Sequence, residues 1–144
     1  MTAAAAWLIA AVLLQGAIAL VLLWILGAIR VPMVQSGKMA VRDIALSRDP
    51  WPEHEKRVAN AFDNQFQLPL LFYVACGIAL YFGPDWIAVA LAWLFVLTRI
   101  AHAVIFATRN RVGPRFLTYT AGYAALCLLW LDLAIRLILI AGGH

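Results

Sequence analysis

Charge is what this sequence has least of. Only 12% of its 144 residues are Asp, Glu, Lys or Arg, about half of the quarter that a soluble domain uses to cover its surface. Cysteine occurs twice, too few for a disulfide scaffold, and no Cys/His cluster has metal-ligand spacing. There is no internal repeat and no low-complexity tract, so solenoids, collagen and disorder are excluded. What remains is apolar: 65% of the residues are hydrophobic and the mean hydropathy is +0.90. This composition belongs to an integral membrane protein. A helical span needs about 20 apolar residues, so four spans with their connections use up residues 1–144 as a single domain, with no separate soluble catalytic domain.

The spans are expected at about 3–29, 58–82, 86–107 and 116–141, with a polar connection over 30–57. The first is too long for the apolar core of a cleaved signal and has no basic residue before it, so it reads as a retained anchor. Between the second and third spans, Phe82-Gly83-Pro84-Asp85-Trp86 is a hairpin signal that predicts antiparallel neighbours. Arg30, Lys38, Arg42, Arg48, Lys56 and Arg57 flank or occupy the first connection, and Arg109, Arg111 and Arg115 the third, while the second connection and both ends have no Lys or Arg. By the positive-inside rule the first and third connections are cytoplasmic and both termini outside. The basic residues are therefore a topology and lipid-headgroup signal, and no nucleic-acid partner is expected. Asp49-Pro50-Trp51-Pro52 reads as an interfacial loop, with Trp51, Trp7, Trp86 and Trp24 at headgroup depth. Cys76 and Cys127 read as buried small apolar residues.

Polar residues inside the spans carry the functional information. Lys56, Asn60, Asp63, Asn64 and Gln67 recur at i, i+4, i+7, i+8 and i+11, one face of a continuous helix. Such a stripe cannot face hydrocarbon. It serves either as interhelical hydrogen-bond glue or as the wall of a ligand cavity. In the third span Arg99, His102 and Phe106 share a face, with Asp63 or a neighbouring carboxylate the natural partner for Arg99. His102 reads either as a satisfied interior histidine or as an acid or base. Arg115, Tyr119 and Tyr123 follow one another by single turns at the start of the fourth span, either as a snorkelling arginine with an aromatic belt or as part of a site. Asp132 and Arg136, spaced i, i+4, read as a self-satisfying ion pair. Arg30, Lys56, Arg57, His102, Arg109 and Arg115 fall near one membrane depth with few carboxylates among them. That suits an anionic ligand such as a small peptide with carboxylates and a thiol, because nearby arginine stabilises a thiolate.

Arg99-Ile100-Ala101-His102 through Phe106, followed by Arg115-Phe116-Leu117-Thr118-Tyr119, resembles the third and fourth helices of the prostaglandin E synthase branch of the MAPEG family, the membrane-associated proteins in eicosanoid and glutathione metabolism. Arg57-Val58-Ala59-Asn60 through Asp63-Asn64-Gln65-Phe66-Gln67-Leu68-Pro69 is similar to the family's second-helix motif, and Arg30 ends the first span as a third match. The resemblance implies a four-transmembrane-helix bundle, all α, assembled as a homotrimer that binds glutathione between subunits near the cytoplasmic face. It implies that Arg115 is catalytic and stabilises the glutathione thiolate, while Arg30, His102 and Tyr119 hold the tripeptide. Arg57, Asn60, Asp63, Asn64 and Gln67 supply the second helix's share, with Asn64 and Gln67 in the motif positions if Pro69 sets the register, or Asn60 and Asp63 in the other register. Gln67 replaces a carboxylate, Phe106 replaces the branch's Tyr, and Phe116 replaces a hydroxyl residue, so specific prostaglandin synthesis is not expected.

The expected activity is a glutathione-dependent transferase or peroxidase acting on a small hydrophobic electrophile or lipid hydroperoxide in a bacterial inner membrane. The alternative is a non-catalytic trimer that binds lipid or another hydrophobic ligand. A transporter or proton relay is disfavoured, since no span is expected to be broken in mid-membrane.

Overall fold

The computed structural model describes residues 1–45 and 47–143. It is all α, with four helical stretches long and apolar enough to cross a membrane. Helix α1 covers Ala3–Gln35 and starts at Thr2, whose hydroxyl accepts from the Ala5 N–H at 3.2 Å. It runs past the expected end at residue 29, because Pro32 forfeits one helical bond without stopping the helix. Arg30 is therefore a helical residue, and the polar connection is shorter than 30–57. That connection contains the one-turn helix α2, Val41–Ile44.

The second crossing differs most from expectation. In place of one helix over 58–82 there are α3, Glu53–Asp63, a 3-10 turn at Asn64–Phe66, and α4, Leu68–Phe82. Pro69 has no N–H to give the carbonyl four residues back, and its ring crowds that carbonyl. Gln67 absorbs the change of direction, at φ −100° and ψ −103°. A span is thus broken within its length, and the polar stripe is not one continuous face. Gln65 points inward and is buried, whereas Asn60 and Gln67 are exposed on the protomer.

Helix α5, Trp86–Ala107, matches its expected span and is capped by Asp85, which accepts from the Ala88 N–H at 2.9 Å. Gly83, at φ +83°, supplies the left-handed residue that the preceding turn requires. Helix α6, Val112–Ala141, begins four residues earlier than expected, which puts Arg115 inside its first turn. The second and third spans are neighbours as expected, but they meet mainly through α3 on α5, while α4 touches α5 more lightly, with Phe72 stacked on Phe95 at 4.6 Å between centroids. The main seams run between α5 and α6 and between α1 and α5. Small residues make the first of these seams close. A Cβ on the buried Gly122 would lie 2.7 Å from the Thr98 hydroxyl.

Several other expectations shift as well. Trp51 is buried under Arg30, and Trp7, Trp24 and Trp86 are exposed. Both cysteines are free, and only Cys76 is buried. Asp132 pairs with Arg136 at 2.9 Å as expected, and Arg136 also bridges to Asp85 and to the Gly83 carbonyl. One arginine thereby ties α6 to the α4–α5 turn. Burial pushes the Asp85 carboxyl up, but hydrogen bonds from Arg136 and the Ala88 N–H, with the Arg136 charge, hold it below the usual carboxylate range.

Two outcomes follow from this packing. Gly122→Ala is expected to destabilise the protein by about 1–3 kcal/mol, read as a lowered unfolding midpoint in detergent, and Thr98→Ala in the same chain should recover most of the loss. Because the Asp85 carboxyl is depressed in the folded state, its contribution is complete above the ordinary aspartate pKa of about 3.9 and disappears as pH falls through the lower folded value. Wild type should therefore lose thermal stability more steeply than Asp85→Asn as pH is taken below about 4.

Candidate functional site

The site lies at the basic end of the bundle, where the α1–α3 and α5–α6 connections meet. Arg57 of α3 donates to the Thr108 carbonyl at 2.8 Å, joining these two connections and placing a cation at the C-terminus of α5. From α5, the i, i+3, i+7 spacing of Arg99, His102 and Phe106 directs all three toward α6. From α6, Arg115 and Tyr119 reach back one turn apart. Asn110, at φ +47°, makes the reversal between the helices and accepts from Arg115 Nη1 at 2.5 Å. The Arg115 guanidinium lies over the Phe106 ring, 4.4 Å from its centroid.

His102 is buried, with Tyr119 at 5.7 Å and Phe106 at 5.8 Å between ring centroids. Its Nδ1 is 3.1 Å from the Arg115 carbonyl oxygen. A carbonyl only accepts, so Nδ1 carries the proton and Nε2 presents a lone pair. That Nε2 is buried and has no partner among the described residues. The 3-10 turn brings in Asn64, whose carbonyl accepts from Arg99 Nη2 at 3.3 Å. Together Asn64, His102 and Phe106, with Val112, Arg115, Phe116 and Tyr119 of α6, line a cavity of about 230 Å³.

Four of the nine expected site residues, Asn64, His102, Arg115 and Tyr119, are thus gathered at one cavity. The other five are elsewhere in the protomer. Arg30 is engaged with the fully buried Glu55, at 2.7 Å from Nε and 2.6 Å from Nη2. Asp63 pairs with Arg48 at 2.5 Å and does not reach Arg99, the partner expected for it. Arg57 caps α5, and Asn60 and Gln67 are exposed. Asp63, the last residue of α3, faces the connection, where Arg48 meets it.

Sequence reasoning missed Glu55, Asn110 and the buried amide pair in which Gln15 Nε2 donates to Gln65 Oε1 at 2.9 Å. Glu55 had a signal: Glu53 and Glu55 directly after Pro52 mark a helix start, and a helix begun there puts Glu55 on the buried face with Val58 and Ala59.

The chain matches the MAPEG family over residues 5–135, a segment that includes most of all four spans and every residue of the cavity. It belongs to the MAPEG family. No curated protein and no solved structure matches it. For a MAPEG protein the informative feature is the balance of charge at the cavity. Arg115 is held by the neutral Asn110, and none of the ion pairs among the described residues involves Arg99 or Arg115. The site offers guanidinium, a ring lone pair, amide and phenol in a pocket without a counter-ion, a donor set that fits an anionic ligand.

Asn110 separates backbone need from side-chain need. Asn110→Ala is expected to cost about 1–2 kcal/mol through the left-handed backbone. Asn110→Gly should retain stability to within about 1 kcal/mol while freeing Arg115, a difference read from unfolding midpoints in detergent.

Proposed function

We propose that this MAPEG protein is an integral-membrane glutathione-dependent transferase or peroxidase, with affinity to the prostaglandin E synthase branch, whose Arg115 stabilises the glutathione thiolate. The observation that carries the reading is the cavity's uncompensated positive charge beside a buried histidine lone pair and Tyr119. Arginine next to a thiol lowers its pKa and raises the fraction present as nucleophile. The thiol proton leaves to solvent, and the sulfur electron pair forms the bond to an electrophilic carbon as the leaving group departs. With a hydroperoxide, sulfur attacks the terminal oxygen, the O–O bond breaks to release the alcohol, and a second glutathione yields disulfide and water. No residue of the protein is oxidised or modified. Arg115 holds charge, while His102 and Asn64 orient the peptide.

A second copy of the chain completes the site in this reading. The cavity, at about 230 Å³, is smaller than the roughly 300 Å³ at which ligand pockets begin. Asn60 and Gln67 are exposed on an element of the second span, where lipid is a poor neighbour for an amide. A homotrimer with glutathione between protomers covers these amides and brings Arg30, Arg57, Asp63 and the two amides of one copy toward Arg115 of the next. Residues 1–144 act as one domain, with the basic end cytoplasmic and both termini outside, in a bacterial inner membrane.

A second reading, a non-catalytic trimer that binds lipid, is favoured by one observation. A wholly apolar groove of about 430 Å³ runs between α1 and α5, from Leu14 to Thr108.

Ultraviolet difference titration of the detergent-purified protein with glutathione distinguishes the two readings. A saturable thiolate band at neutral pH is expected in wild type, its loss in an assembled Arg115→Ala, and a partial signal in Arg115→Lys, where a point charge replaces the guanidinium fork. A flat wild-type titration would transfer the assignment to lipid binding.

A further inference from the structure

A second cavity, of about 710 Å³, lies between the last turns of α1 and the first connection, and it shares no lining residue with the α5–α6 cavity. Its volume is within the roughly 300–1,000 Å³ of ligand pockets. The charge on its wall has one sign, with Arg30 contributed by α1 and Arg48 by the connection. The carboxylates that pair with them, the fully buried Glu55 and Asp63 at the end of α3, are not among the lining residues.

The two arginines differ in what they have left to give. Arg30 is fixed in place: its Nε and Nη2 both reach Glu55 Oε1, at 2.7 and 2.6 Å, and its guanidinium lies over Trp51, 5.3 Å from the ring centroid. Arg48 is more open. Its side chain is 56% exposed, and Asp63 meets it through Nη1 at 2.5 Å and through Nη2 at 3.5 Å, which leaves three of the five guanidinium donors. An ion pair this exposed contributes little to stability, so Arg48 can share its charge with a second anion at small cost. Ser47 beside it accepts from the Asp49 N–H at 3.1 Å, and its own hydroxyl hydrogen remains to donate.

The rest of the wall is apolar where α1 supplies it, through Val31 and Val34. Arg30 is the first charged residue of α1, so the cavity begins where that helix leaves the hydrocarbon, at the level where a tryptophan such as Trp51 marks the headgroups. A ligand that fits has an anionic end for guanidinium and hydroxyl and an apolar end for the valines. Phospholipids carry both at that depth, and basic pockets at the membrane surface hold their headgroups.

We propose that this cavity is a phospholipid site, in which Arg48 and Ser47 hold the phosphodiester of an anionic headgroup, Arg30 adds its charge, and Val31 and Val34 meet the glycerol end of the acyl chains. The inference is independent of the glutathione reading.

The test is native mass spectrometry of the full-length protein released from detergent and titrated with dioleoylphosphatidylglycerol or with dioleoylglycerol, which has the same chains and no phosphate. Wild type is expected to bind the phospholipid saturably and roughly tenfold to a hundredfold more tightly than the diacylglycerol. Arg48→Gln should lose most of that preference, since the amide still donates to Asp63 but carries no charge. Ser47→Asp keeps an oxygen for the Asp49 N–H and sets a negative charge in the wall, so it gives the same reading where the glutamine variant does not fold. A purely structural Arg48 would lower the unfolding midpoint and leave the lipid preference intact, and that result overturns the inference. Equal binding of the two lipids by wild type, as when a second copy of the chain fills the cavity, also overturns it. Inorganic phosphate separates the two sources of this chemistry: it should not displace the phospholipid from wild type, and displacement would give the site to a free phosphate compound in place of a lipid.

Discussion

A proline that lacks an N–H, set within the second membrane crossing, forces the helix there to break, and the freed backbone and the side chains around it must find partners inside the bundle. Much of the interior is arranged to meet that demand. Gln65 folds back on the Ala61 carbonyl and receives Gln15 from α1, and the Asn64 carbonyl receives Arg99 from α5. The break therefore joins three helices through polar contacts in a region where each unsatisfied group costs several kcal/mol on the order-of-magnitude scale for apolar transfer. Asn64, the first residue of the turn, lines the cavity.

Charge is divided between the ends of the molecule. At the end away from the site, Arg136 is shared by two aspartates and a carbonyl, so local positive charge is more than balanced. At the basic end Glu55 and Asp63 are engaged by Arg30 of α1 and Arg48 of the connection, and the α5–α6 cavity is left with guanidinium and neutral donors. Asn110 has two functions in that arrangement. The residue that reverses the chain also holds the arginine that faces the ligand.

Much of this was legible in the sequence, for reasons tied to particular residues. Hydropathy and the uneven placement of Lys and Arg predicted four crossings, and helical spacing on two unbroken helices predicted that His102, Arg115 and Tyr119 would meet. Spacing failed where the helix was not continuous. Helical spacing assigns Asp63 to Arg99, but Asp63 ends α3 and pairs with Arg48 of the first connection, while the turn at Asn64–Phe66 moves Asn64 and Gln67 out of the phase of the stripe. The end of α1 was hidden because Arg30 and Pro32 together look like a boundary. Arg30 lies within the helix and is met by Glu55 of α3, a partnership 25 residues away that local patterns do not encode. Gln15 looked like a blemish in an apolar anchor, and its meaning came from a partner 50 residues later.

That last separation bears on how the protein is made. Synthesis runs from the N-terminus, so α1 enters the bilayer carrying an amide near its middle before the chain that contains Gln65 has been translated. For that interval Gln15 has neither water nor a partner, and the helix is a poor resident of lipid on its own. The penalty ends when the second crossing delivers its amide. The pair thus ties the first two crossings together, since neither amide has a partner in the bilayer until the other crossing is present.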